Sequence, residues 1–113
     1  MSGVASEDDV LFLLADVPQV QSQLYWKLLI VDDEPAVHGV TTMVLSGLRF
    51  RERSLKFLSA YDGAQARQLL AEHDDIAVIL LDVVMETEDA GLQLVRHIRD
   101  GLRNDWVRIV LTA

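Results

Sequence analysis

Two apolar runs dominate the chain, residues 27–31 (Lys-Leu-Leu-Ile-Val) and residues 76–82 (Ile-Ala-Val-Ile-Leu-Leu-Asp), and each ends at carboxylates. Unbroken β-branched and aliphatic runs of this length predict strands buried on both faces of a parallel sheet. After the first run come Asp32, Asp33 and Glu34, then Pro35 where a helix can begin, then Val37, Val40, Val44 and Leu48 at helical spacing. Residues 55–60 predict a shorter strand suited to a sheet edge, reached through residues 49–56, a mixed-charge stretch read as a solvated connection. Asp62-Gly63 signals a turn, and Ala64, Leu69 and Leu70 open a helical face that closes at His73. Beyond Asp82, the residues Leu92, Val95, Ile98 and Leu102 predict another amphipathic helix and residues 107–111 a fourth strand.

This alternation, β-α-β-α-β-α-β, predicts a parallel sheet covered by helices on both faces. Residues 1–25 read as an N-terminal extension. It is either loosely held or carries a short amphipathic helix, with Val10, Leu14 and Val17 in register, a cap at Asp8 or Asp9, and Pro18 as its stop. Residues 26–113 form the globular part, entered at Trp26.

The topology decides what the acids can do. Parallel strands point the same way, so the turns after the first and third strands open on one rim, where ligands bind in open α/β sheets. Asp32, Asp33 and Asp82 therefore converge. Each could instead be an ordinary cap, but three carboxylates in one cleft raise one another's cost of ionisation, and a hard cation with oxygen ligands relieves it. The chain has no cysteine, which removes thiolate metal sites and disulfides and suits a reducing cytoplasm, and its three histidines are scattered. Mg²⁺ is accordingly preferred to zinc. His38, His73 and His97 read as solvated or packing residues, and Trp26 and Trp106 as packing residues.

Composition narrows the function further. With 18 acidic against 10 basic residues the net charge is −8, which argues against a nucleic-acid surface. Half the residues are hydrophobic, enough for a core in 113 residues, yet no run reaches the roughly 20 residues of a membrane span. No Ser-His-Asp arrangement or glycine-rich phosphate loop is present.

Leu-Ile-Val-Asp-Asp-Glu-Pro at positions 29–35, the apolar run ending at Asp82, and Ile-Val-Leu-Thr-Ala at 109–113 together resemble the receiver domain of bacterial two-component response regulators. The resemblance implies a flavodoxin-like α/β fold, a three-layer αβα sandwich. Its strand order would be 2-1-3-4, with the fifth strand and helix falling beyond this chain. It implies that Asp82 is the phosphoacceptor for a phosphoryl group from a sensor histidine kinase or phosphotransfer protein. Asp33 would be a direct Mg²⁺ ligand, Asp32 would reach the ion through water, and Val84 would contribute its backbone carbonyl. Thr112 would be the switch hydroxyl. Such a domain catalyses its own phosphoryl transfer and dephosphorylation instead of turning over a substrate, and acts in the cytoplasm on an output domain of a longer chain.

Two departures from the pattern stand out. Receivers continue to a fifth strand ending in a lysine that pairs with the phosphate, whereas this sequence has no lysine after Lys56. That favours a piece of a longer protein, and it keeps open a pseudo-receiver, a binding module that signals without phosphate. It also predicts an exposed fourth strand, closed by a homodimer, by a swapped strand or by the apolar segment around Val10 and Leu14. The second departure is the acidic loop Met85-Glu86-Thr87-Glu88-Asp89, where receivers often carry Met-Pro. With the following Ala-Gly-Leu-Gln-Leu-Val it resembles receivers at the N-terminus of bacterial cyclic-dinucleotide phosphodiesterase or cyclase proteins. A Mg²⁺-dependent phosphohydrolase is the remaining rival, with no second acid-base residue at useful spacing to support it.

Overall fold

The strand that ends at Asp82, β4 (Ile76–Asp82), is buried along its whole length and lies between β1 (Tyr25–Val31) and β5 (Arg108–Thr112), parallel to both. This is seen in a computed structural model of the protein, which describes residues 6–15, 25–82, 90–102 and 107–112. On the far side of β1 runs β3 (Arg53–Ala60), also parallel, and the two-residue β2 (Arg49–Phe50) pairs antiparallel with β3 at the edge. The order is β2-β3-β1-β4-β5. The four expected strands thus take the expected 2-1-3-4 arrangement, and a short fifth strand makes the sheet mixed.

Among the described residues four helices cover the two faces: α1 (Glu7–Leu14), α2 (Pro35–Leu45), α3 (Gly63–Glu72) and α4 (Ala90–Arg96), the last running on into a π-helical turn at His97–Gly101. Alternation along the strands divides the interior into two cores. Leu29, Val31, Ile79 and Leu81 meet Ala66 and Leu70 of α3 and Leu94 of α4 on one face. Trp26, Leu28, Ile30, Val78 and Leu80 meet Val10 and Leu14 of α1 and Leu45 of α2 on the other. Each fully buried aliphatic side chain of this kind contributes about 1.5–3 kcal/mol, so the sheet is held from both sides.

Several local expectations change. The α1 cap is Ser6: its Oγ accepts from the Asp9 N–H and the Asp9 carboxylate accepts from the Ser6 N–H, a capping box, while Val17 and Pro18 lie outside the described residues. In α2 the buried row is His38, Thr41 and Leu45, with Val40 and Val44 exposed. The helix is rotated by about one residue, or 100°, from the valine face. In α4 the core residue is Leu94, with Leu92 exposed, and the wider π turn carries Leu102 off the buried row as well.

The stretch 49–56 is not a solvated connection. It is a hairpin, and Arg51 and Glu52 take φ of 51° and 65°, the positive values that a two-residue turn of this hand requires. Trp26 clasps it: Nε1–H donates to the Phe50 carbonyl at 2.8 Å, and the Arg53 guanidinium lies 4.7 Å from the indole centroid. A left-handed non-glycine residue costs about 1–2 kcal/mol, and glycine gives back roughly half of that through its unfolded-chain entropy. Glu52→Gly is therefore expected to stabilise the chain by about 0.5 kcal/mol, a gain that a urea melt would register as a higher midpoint at unchanged slope.

At the N-terminal end of the sheet, Lys27 Nζ donates to the Asp75 carboxylate at 2.7 Å and lies 3.1 Å from His73 Nδ1. This pair lets a lysine sit near the start of a buried strand. It leaves the opposite, carboxyl-end rim to the acids.

Candidate functional site

The β1–α2 turn is built around Asp32. Its N–H donates to the Ala60 carbonyl at 3.1 Å, which ties the turn to the end of β3. Its Oδ1 accepts the Glu34 N–H at 2.9 Å, so the carboxylate itself shapes the entry to α2, where Glu34 makes no side-chain cap. Its carbonyl is 2.7 Å from His38 Nε2. Pro35 opens α2, where a missing N–H costs nothing. Asp32 is buried in consequence, whereas the next residue, Asp33, is exposed.

Asp82 reaches the same rim from the end of β4 and is itself buried. Oxygens of Asp32, Asp33 and Asp82 all lie within 4.8 Å of one another. At that separation two carboxylate charges repel by on the order of 3 kcal/mol at an effective dielectric constant of about 20. Two of the three are buried, so water can relieve little of this, and the all-oxygen donor set fits a hard divalent cation such as Mg²⁺.

Thr112 stands beside them. It is the register partner of Asp82 across β4 and β5, and its Oγ1 donates to the Leu81 carbonyl at 3.4 Å, a long hydrogen bond that is easily exchanged. Four of the five residues singled out from the sequence therefore sit on one rim. Val84 and the acidic loop after Asp82 lie outside the described residues, as does Trp106.

Two neighbours went unread in the sequence as parts of this rim. His38 is buried beneath the turn, and Tyr61, following β3, packs its ring on the imidazole with centroids 4.3 Å apart. The available signal was position: His38 lies one turn into the helix that the acid pair starts.

A family description, the response regulator receiver domain, matches residues 28–113. The 3'3'-cGAMP-specific phosphodiesterase 2 of Vibrio cholerae is 49% identical over 92 residues, which cover 81% of this chain and 18% of that protein. The chain thus spans less than a fifth of the length of this curated relative. Among solved structures, a MaeR response regulator bound to beryllium trifluoride superposes with a TM-score of 0.61 at 24% identity, covering 76% of this chain and 65% of the other. A response regulator receiver protein from Pseudomonas putida gives a TM-score of 0.61 at 23% identity, covering 79% of this chain and 69% of the other. At these identities the solved structures speak for the fold alone.

Proposed function

The chain belongs to the response regulator receiver family, and we propose that it is a phosphoaccepting switch in which Asp82 takes a phosphoryl group from a phosphohistidine. The observation that carries this reading is the convergence of Asp32, Asp33 and Asp82, two of them buried, within 4.8 Å at the carboxyl rim. In the transfer, an Asp82 carboxylate oxygen forms a bond to phosphorus as the phosphorus–nitrogen bond breaks. The electron pair returns to the imidazole nitrogen of the donor, which is then protonated. Asp33, Asp32 and Asp82, with the backbone carbonyl of Val84, would hold Mg²⁺. When bound, that ion supplies positive charge to the incoming phosphoryl oxygens.

Thr112 supplies the readout. Its hydroxyl leaves the Leu81 carbonyl for a phosphoryl oxygen on Asp82, its register partner, and draws the end of β5 with it. The long 3.4 Å bond and the direct register support this exchange. The donor is a sensor histidine kinase or a phosphotransfer protein, the setting is cytoplasmic, and the output lies on a longer chain. The likeness to the Vibrio phosphodiesterase supports a cyclic-dinucleotide phosphodiesterase as that output. Among the described residues no helix is long and apolar enough to cross a membrane.

Incubation with acetyl phosphate, with and without Mg²⁺, followed by intact mass spectrometry tests the reading. One added phosphoryl group that depends on Mg²⁺ is expected. No adduct, even on a longer chain that supplies the fifth strand and its lysine, would favour a binding module that signals without phosphate, and multiple turnover of the donor would point to a hydrolase.

A further inference from the structure

His38 is 4% exposed, its Nε2 contacts the backbone carbonyl of Asp32, and neither the transfer nor the switch gives it a task. We infer that His38 is the positioning residue of this site: its Nε2–H holds the Asp32–Asp33 peptide in the orientation that aims both carboxylates at Asp82. The inference rests on the reading of the rim as a cation and phosphoryl site.

The chemistry of the contact fixes the direction of the hydrogen bond. A backbone carbonyl only accepts, so the proton lies on Nε2, and the 2.7 Å separation is at the short end for N–H···O. The oxygen it binds belongs to the peptide joining Asp32 to Asp33. If that peptide turns, the Cα–Cβ direction of Asp33 turns with it, and an exposed side chain has little else to aim it.

The turn is bracketed from both ends. From outside, the Asp32 N–H is tied to Ala60; from inside α2, His38 reaches back over the first turn, and Glu34, which makes no side-chain cap, contributes only its N–H to Asp32 Oδ1. The imidazole is itself fixed by Tyr61, whose ring lies at 34° to it and whose N–H donates to Gln65 at 2.8 Å.

The other ring nitrogen shows that packing alone does not account for a histidine here. Nδ1 is buried and has no hydrogen-bond partner among the described residues, an arrangement that is unfavourable for a polar atom. A leucine would fill the space without that cost. What the histidine adds is the donor on Nε2.

Calorimetric titration with Mg²⁺ tests the assignment on three forms of the chain: wild type, His38→Phe, which keeps a ring against Tyr61 and removes the donor, and His38→Gln, whose side-chain amide can reach the same carbonyl. Loss of such outer support weakens metal affinity by about 10-fold or more, the loss expected for His38→Phe, with His38→Gln recovering most of it. The Asp33 amide resonance of the metal-free protein should move in His38→Phe and return toward its wild-type position in His38→Gln. That measurement reads the peptide without relying on binding. Wild-type affinity in His38→Phe, or equal losses in both variants with unchanged Asp33 resonances, would overturn the positioning role. Absence of Mg²⁺ binding by the wild type would overturn the reading of the rim and the role with it, and it is visible before any substitution is made.

Discussion

Asp82→Asn is expected to accept no phosphoryl group from acetyl phosphate and, in the absence of divalent cation, to melt at a higher temperature than the wild type. The first result follows from replacing the carboxylate that faces Thr112 in register by an amide, which is no nucleophile toward phosphorus. The second follows from geometry. Three carboxylates within 4.8 Å, two of them buried, repel in pairs, and a neutral amide of the same shape at position 82 removes two of those pairs. After relaxation and screening, a net gain of about 1 kcal/mol is a fair share of the bare Coulomb figure, and it raises the melting temperature of a domain this size by roughly 5 °C. Added Mg²⁺ should reverse the order, because a cation at tenfold its Kd stabilises the wild type by about 1.4 kcal/mol and has less to hold in the variant. Scanning calorimetry with and without Mg²⁺ would show the two curves crossing. An Asp82→Asn protein that melts below wild type in both buffers, or that still gains phosphate, contradicts the assignment.

Leu14→Ala is expected to cost about 3 kcal/mol and to lower the melting temperature by roughly 15 °C. The N-terminal helix looks dispensable from its length, since eight residues cannot hold a helix in water. Yet Val10 and Leu14 are completely buried in the core that Trp26, Leu28 and Ile30 build on that face of the sheet. The capping box at Ser6 starts the helix; the strand surface keeps it. Phe12, on the same helix and 74% exposed, is the control, and its replacement by alanine should move the melting temperature little. Equal and small effects of the two substitutions in a thermal melt would show that α1 is not a wall of this core. We propose on this packing that residues 6–15 belong to the folded unit and are not a loose extension.

How far the sequence was legible can be traced residue by residue. The strands around Leu28 and Ile79 were readable because burial on both faces leaves no polar interruption, and the common direction of parallel strands then placed Asp32, Asp33 and Asp82 on one rim. Helix faces were harder. Val40 and Val44 are β-branched and apolar, so periodicity chose them for the core, but the sheet-facing row of α2 carries His38 and Thr41, polar side chains whose burial depends on partners elsewhere in the chain. The hairpin at Arg51-Glu52 was missed for a similar reason. Its turn lacks the Asn-Gly or Asp-Gly pair that announces positive φ, and it is held by Trp26, 24 positions before the Phe50 carbonyl that the indole binds. Local pattern identifies what is local; these features are fixed by tertiary contacts.

The pairing of β1 with β4 has a consequence for when the chain acquires its chemistry. Leu28 is aligned with Val78 and Val31 with Leu81, so the central contact of the sheet closes a loop of about fifty residues, and such non-local pairings form late and slowly as a chain folds. Until that closure, Asp32 and Asp82 are strangers in solution. A partly synthesised or partly unfolded chain has acids but no rim, so phosphorylation on Asp82 would mark only molecules whose topology is complete.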